Sequence, residues 1–215
     1  MLPESTDLLQ PSQIAHVQKP RAARISLPPP RRKDIASLEE TLSRRRSVRE
    51  FAEDPLTEEQ IGQLLWASQG IANPEGFRTA PSAGALYSLE IYLATTKGYY
   101  QYIPHTHQIE LHSGKDIRRA LYLAAFDQES VLSAPAVFVI AAVYSRLAEK
   151  YGEERSVRYA CLEAGHAAQN VLLQATALGL AGVPIGAFRD DQVQRALSLP
   201  LEESPLYLIP VGAVG

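Results

Sequence analysis

The sequence predicts an α+β domain preceded by an extended arm, and three observations carry this reading. Strand-like runs (LEIYLATT, YYQYI, QIELH, AVFVIAAV, GVPIGAF, PLYLIPVGAV) mix with helical ones without the regular βαβ order of a doubly wound sheet. The 215 residues suffice for one buried core and do not require a second. Residues 1–33 are polar, proline-punctuated and without period, ending in LPPPRRK, so they read as an extended arm and leave 34–215 as the folded domain.

Taken along the chain, each element follows from periodicity and punctuation. A first helix is expected from about Ile35 to Arg46, with Leu38 and Leu42 four apart. A second opens at Thr57, where TEEQ offers a capping box with Gln60 reaching back; its Ile61, Leu64, Leu65 and Ser68 share a face. Gly70 stops that helix, and a loop rich in Gly, Pro and Asn runs to about Tyr87. LEIYLATT then reads as a strand, and YYQYI and QIELH flank the turn PHTH as a hairpin. DIRRALYLAAF is helical, and AVFVIAAV, an unbroken apolar run, is a strand covered on both faces. A long helix spans roughly 156–178 and stops at Gly179. Strand GVPIGAF, a short helix from Asp190 or Asp191 and strand PLYLIPVGAV close the chain.

The net charge of −3 is unevenly spread. Residues 18–49 carry ten Lys and Arg against three acidic residues, an excess of +7 that leaves −10 elsewhere. A basic arm of this kind can serve nucleic acid or a membrane surface. No aromatic residue is interleaved here for base stacking, so a solvated tail with a local anion site is the better reading, with no nucleic acid and no membrane as partners. No window approaches a membrane span, the N-terminus lacks the pattern of a secretory signal, and the single Cys161 fits a reducing compartment; the expectation is cytoplasmic.

Several segments can carry chemistry. In RRSVREF the guanidinium groups of Arg45, Arg46 and Arg49 and the hydroxyl of Ser47 make an anion trap, or simply a helix C-terminus matched to its dipole. APSAGALY, with Pro81, Ser82, Ala83 and Gly84, is a small-residue loop that lets a flat ligand approach the backbone, although a plain turn would read the same way. Glu163 and His166 have the E-x-x-H spacing of di-iron bundles, but no second copy occurs and no metal is expected. Pro184, Ile185, Gly186 and Ala187 lie in a glycine-rich segment that does not match G-x-G-x-x-G. Lys150 beside Tyr151 is either a proton-moving pair or a surface Lys next to a half-buried Tyr.

Together and in order, RRSVREF, LLWASQGI, RTAPSAGALYSLEIYL, KYG, RYACLEAGHAAQNVLLQATALGL and VPIGAF resemble the nitroreductase superfamily, and within it the SagB-type dehydrogenases, which include azoline oxidases. The resemblance implies a central, mostly antiparallel sheet flanked by helices, and a homodimer with the long central helix at its interface. It implies one FMN per site, with Arg45, Arg46, Ser47 and Arg49 on the phosphate, ribityl and N1/O2 edge. Pro81, Ser82, Ala83 and Gly84 would reach the flavin from the other subunit, and Pro184, Ile185, Gly186 and Ala187 would pack the ring and offer an N–H to N5. Lys150 and Tyr151 match the proton-abstracting pair of azoline oxidation. The implied activity is hydride transfer between a small-molecule or peptide substrate and flavin N5. The alternatives are an NAD(P)H-dependent nitro or quinone reductase and a non-catalytic flavin-binding protein. Two departures stand out: Ser88 replaces the usual proline of PSAGALYP, and the chain ends at VGAVG without the basic phosphate clamp of many relatives. Arg78 or the basic arm is the expected substitute for that clamp.

Overall fold

The computed structural model describes residues 23–33 and 36–215, and residues 1–22 of the arm lie outside them. Among the described residues, seven strands form one sheet: β1 (Arg24–Ser26), β2 (Leu89–Thr95), β3 (Gly98–Ile103), β4 (Gln108–Ser113), β5 (Ala136–Val143), β6 (Ala181–Gly182) and β7 (Glu203–Gly212). Their order is β1-β4-β3-β2-β5-β7-β6, and every pairing is antiparallel. Seven α-helices among the described residues accompany it: α1 (Leu38–Arg44), α2 (Glu58–Gln69), α3 (Arg118–Ala124), α4 (Glu129–Ser133), α5 (Ser145–Tyr151), α6 (Glu153–Ala177) and α7 (Asp190–Leu197).

β5 is the core. All eight of its residues are buried, and alternation sends them to opposite layers. Ala136, Phe138, Ile140 and Ala142 pack with Leu64 and Leu65 of α2 and with Ala160, Ala164, Ala167 and Ala168 of α6. Val137, Val139 and Ala141 pack on the far side with Leu121, Val131, Val193 and Leu197 of α3, α4 and α7. The alanine stripe on α6 lets that 25-residue helix, about 37 Å long, lie close against the sheet.

The capping box is present: Thr57 Oγ1 accepts from Gln60 N, Gln60 Oε1 accepts from Thr57 N, and Gly70 caps the other end of α2. The hairpin β3–β4 and the covered β5 also match the sequence reading. Four features differ. α1 is shorter than expected, and its Leu38 and Leu42 are exposed in the chain; Ile35 lies outside the described residues. The arm contributes β1 as an edge strand on β4, held further by Leu27 N donating to His107 O at 3.1 Å. Two short helices, α4 and α5, were not anticipated. GVPIGAF is strand only at Gly182, followed by a single bridge from Ile185 to Leu208, because Pro184 has no N–H to continue the ladder.

Candidate functional site

The chemistry-bearing segments gather in two groups. In the first, the chain leaving α1 lies on the β6–β7 edge. Ser47 bridges Gly182, Val48 N donates to Gly182 O at 3.2 Å, and Ala52 N donates to Ala213 O at 3.0 Å. Gly182 is needed for the close pairing with β7 beneath α6, since a β-carbon there would fall 2.9 Å from Pro210 O and 3.2 Å from Leu172 Cδ2. The chain then turns through Pro184 to Ile185, whose N–H donates to Leu208 O at 2.8 Å. The Arg45–Arg49 segment is thereby tied to Gly182, two residues before the Pro184–Ala187 segment, which Ile185 ties to Leu208.

Arg46 bends back to the helix end, Nη1 donating to Ser43 O at 2.9 Å and to Arg45 O at 2.7 Å, so it works as the C-terminal cation of α1. Arg45 and Arg49 have no acceptor among the described residues, and neither do the exposed N–H groups of Gly186 and Ala187. Unpaired cations beside unpaired backbone donors suit an anionic, flat-edged ligand.

The second group is the loop before β2. A 3-10 turn, Ala83–Ala85, carries it, with Gly84, Ala85 and Tyr87 at φ 62°, 54° and 50°. A non-glycine residue at such a φ is held there by its surroundings. Here the restraint is dense. Ser82 Oγ accepts from Tyr87 N at 2.9 Å and donates to Glu163 Oε2 at 2.7 Å. Ser88, fully buried, donates to the same oxygen through N at 3.3 Å and Oγ at 2.9 Å, and Gln69 Nε2 donates to Glu163 Oε1 at 3.2 Å. Tyr87 O accepts from Arg146 Nη1 at 3.0 Å, and Tyr87 Oη accepts from Arg78 N at 3.1 Å.

Lys150 and Tyr151, at the end of α5, close on this loop. A β-carbon on Gly84 would lie 2.7 Å from Tyr151 Oη and 3.0 Å from Lys150 Nζ, so both polar ends meet at that glycine. Tyr151 is half-buried and stands edge-on to Tyr159 with centroids 4.9 Å apart; Lys150 is exposed.

The register separates the two groups. Ala136 pairs with Val211 and Val211 with Gly182 at one end of β5, whereas Leu89 pairs with Ala142 and Val143 leads into α5 at the other. The length of β5 puts Gly182 and Leu89 about 23 Å apart along the sheet, while Ile185, bridged to Leu208 opposite Val139, lies level with the middle of β5. The structure therefore does not bring Arg45, Arg46, Ser47, Arg49, Pro184, Ile185, Gly186 and Ala187 together with Pro81, Ser82, Ala83, Gly84, Lys150 and Tyr151 within one chain. Arg78, the expected clamp substitute, stands with the second group.

Glu163, which sequence reasoning weighed only as a metal ligand and set aside, is the buried acceptor that holds this loop. Both its oxygens are engaged by Gln69, Ser82 and Ser88, and His166 is exposed. The signal was present: Glu163 falls on the same helical face as Ala160, Ala164 and Ala167, so its carboxylate had to meet donors inside. Ser82 likewise directs its hydroxyl hydrogen to Glu163 and away from any ligand on the loop's outer side.

Comparison with known proteins agrees with the fold. A family model described as the nitroreductase family matches residues 42–213. "Putative nitroreductase MJ1384" of Methanocaldococcus jannaschii is 44% identical over 181 residues, covering 81% of this chain and 90% of that protein. A crystal structure of a protein given the same designation, from Ralstonia eutropha, superposes with a TM-score of 0.83 at 31% identity, covering 92% of this chain and 95% of the other. The NADPH:FMN oxidoreductase of Vibrio harveyi, complexed with NAD+, gives a TM-score of 0.63 at 26% identity, covering 82% and 68%. The antiparallel sheet, the long α6 and these matches lead to one conclusion: the chain belongs to the nitroreductase family of oxidoreductases.

Proposed function

We propose that the protein is an FMN-dependent dehydrogenase of SagB type, working as a homodimer in the cytoplasm. The observation that carries the reaction is the convergence of Lys150 Nζ and Tyr151 Oη on Gly84. A loop with no side chain at that point lets a flat reactant approach while an amine and a phenol wait beside it.

The donor set fits FMN. Arg45 and Arg49 would hold its phosphate and the N1 side of its ring, Ser47 would support the ribityl chain, and the free N–H groups of Gly186 and Ala187 would be the donors available to N5. Arg46 fixes the helix end from which these residues project, and Pro184 and Ile185 pack the ring. When bound, FMN supplies the hydride acceptor. Lys150 or Tyr151 takes the proton from the substrate carbon, and Pro81, Ser82, Ala83 and Gly84 form the wall that keeps the two groups in place. Because the arginine segment and the Gly84 loop lie at opposite ends of the sheet, a second copy has to complete each site. The outer face of α6 supports this, with Val157 and Leu162 at 47% and 55% exposure, as do the exposed Leu38 and Leu42 of α1.

A second reading, an NAD(P)H-dependent nitro or quinone reductase, is favoured by the Vibrio harveyi neighbour. It needs the same flavin but neither Lys150 nor Tyr151. Purified protein is expected to be yellow, with bands at roughly 370 and 450 nm from the bound ring. Lys150→Ala and Tyr151→Phe are expected to abolish dehydrogenation and to spare turnover with NAD(P)H and a quinone. A colourless protein that takes up no FMN overturns the cofactor reading, and dehydrogenation unaffected by both substitutions overturns the assigned pair.

A further inference from the structure

Beside the strained loop lies a cavity of about 540 Å3, lined by Arg78, Tyr87, Gln101, Tyr102, His105 and Arg146, with Glu90 in its wall. The proposed reaction uses none of these residues. Most of their polar groups are already engaged. Arg146 gives Nη1 to Tyr87 O and Nη2 to Glu90 Oε1. Gln101 donates to Glu90 at 2.9 Å and meets His112 at 3.3 Å, and the Tyr102 hydroxyl lies 2.9 Å from His107 Nδ1.

Arg78 is different. Its guanidinium sits 4.6 Å over the Tyr87 ring, and among the described residues the side chain donates only through Nη1, to Gln69 Oε1 at 3.2 Å. Nε is buried and has no partner. No carboxylate pairs with it: Glu90 is taken by Arg146 and Gln101, and Glu163 by Gln69, Ser82 and Ser88. Burial pushes its pKa down from the usual arginine value, against the pull of Glu90 and Glu163. A half-buried guanidinium that no carboxylate neutralises, with Nη2 unengaged among the described residues, is unfinished, because Nη2 can donate to a carboxylate oxygen.

We propose that this cavity binds a small aromatic carboxylate, its anionic end on Nη2 of Arg78 and its ring among Tyr87, Tyr102 and His105. Tyr87 Oη, which accepts from Arg78 N, keeps its own proton to donate to the same anion. Leu86 and Tyr87 continue the loop of Gly84, and Arg146 lies one helical turn before Lys150 on α5. An anion held there stands next to the Lys150–Tyr151 pair. That it is the anionic end of the redox substrate rests on the flavin reading; the binding itself does not.

The test is calorimetric titration of the full-length protein, as purified, with benzoate and with its neutral isostere benzamide, while the flavin spectrum is monitored. Benzoate is expected to bind at least about tenfold more tightly than benzamide without shifting the flavin bands. Arg78→Gln is expected to remove about tenfold or more of that affinity, with Arg78→Lys in between because it keeps the charge but not the fork. If Arg78→Gln proves unstable, nitrogen-15 NMR of the wild type decides: benzoate should shift and protect an arginine Nε–H that benzamide leaves unmoved. Equal binding of the two probes, no binding, an Arg78→Gln variant that binds benzoate as before, or no arginine Nε–H that responds to benzoate would each overturn the proposal. So would binding that shifts the flavin bands, since it places benzoate on the ring. A colourless protein that still discriminates benzoate through Arg78 keeps the cavity and sinks the flavin reading; a yellow one without discrimination does the reverse.

Discussion

Ser88 makes two hydrogen bonds to one oxygen of Glu163, from its N–H at 3.3 Å and its hydroxyl at 2.9 Å. The superfamily pattern to which this loop is similar has proline at that position, and proline could make neither bond. The departure is therefore a structural exchange with consequences. Glu163 is 1% exposed, and each donor it loses leaves a buried carboxylate less satisfied. Ser88→Ala is expected to destabilise the protein by about 2 kcal/mol, and Ser88→Pro by more than that. Urea unfolding measures both; a Ser88→Pro protein as stable as the original would show that the hydroxyl and the N–H contribute nothing.

Gly84 combines a positive φ with contact to both polar groups of the proposed proton-transfer pair. Gly84→Ala is expected to cost about 1–2 kcal/mol from backbone strain alone, and its β-carbon has to displace Tyr151 Oη or Lys150 Nζ. Dehydrogenation should fall by at least about a hundredfold, in line with the loss of a positioned acid or base, while flavin content should be nearly unchanged. Rates equal to those of the unaltered protein would remove Gly84 from the account.

The arm is expected to loosen in acid. His107 Nε2 lies 2.9 Å from Pro28 O, which can only accept, so Nε2 carries the proton and Nδ1 receives the Tyr102 hydroxyl. Burial holds the imidazole below its ordinary value of 6.5, opposed by the Pro28 bond. The stability from this neutral ring is complete above pH 6.5 and is lost as pH falls through the lowered pKa. Hydrogen exchange of residues 24–31, corrected for intrinsic rates, should accelerate between pH 7.5 and 5, and His107→Gln should flatten that change. Gln63 holds the arm independently, accepting from Arg31 N at 2.8 Å and donating to Arg31 O at 3.0 Å, so the response is graded and not a release.

Most of the fold was legible in the sequence because its signals are local. The TEEQ box, the apolar run of β5 and the glycine stop after α6 each act within a few residues. What was not legible depends on distant partners. β1 has three exposed residues and becomes a strand only because β4 offers an edge. The expected strand through Pro184 failed for a local reason that the sequence did contain, a residue with no N–H. At the site, the arginine cluster and the small-residue loop could be named as anion- and ring-friendly. Their separation across the sheet, and the service of Ser82 and Ser88 to Glu163, follow from register and helix packing that no spacing rule encodes.

The central claim is that two copies share each flavin site. Co-expression of differently tagged chains tests it, one carrying Arg45→Ala and Arg49→Ala, the other Ser82→Ala and Gly84→Val. The first variant alone should retain almost no FMN, and the second should keep flavin but lose almost all activity. In the mixed dimer one site collects every substitution and the other none, so the account predicts about half the flavin and half the activity of the original protein. A mixed dimer as inactive as its parents would mean that each chain builds its site alone, in contradiction to the account.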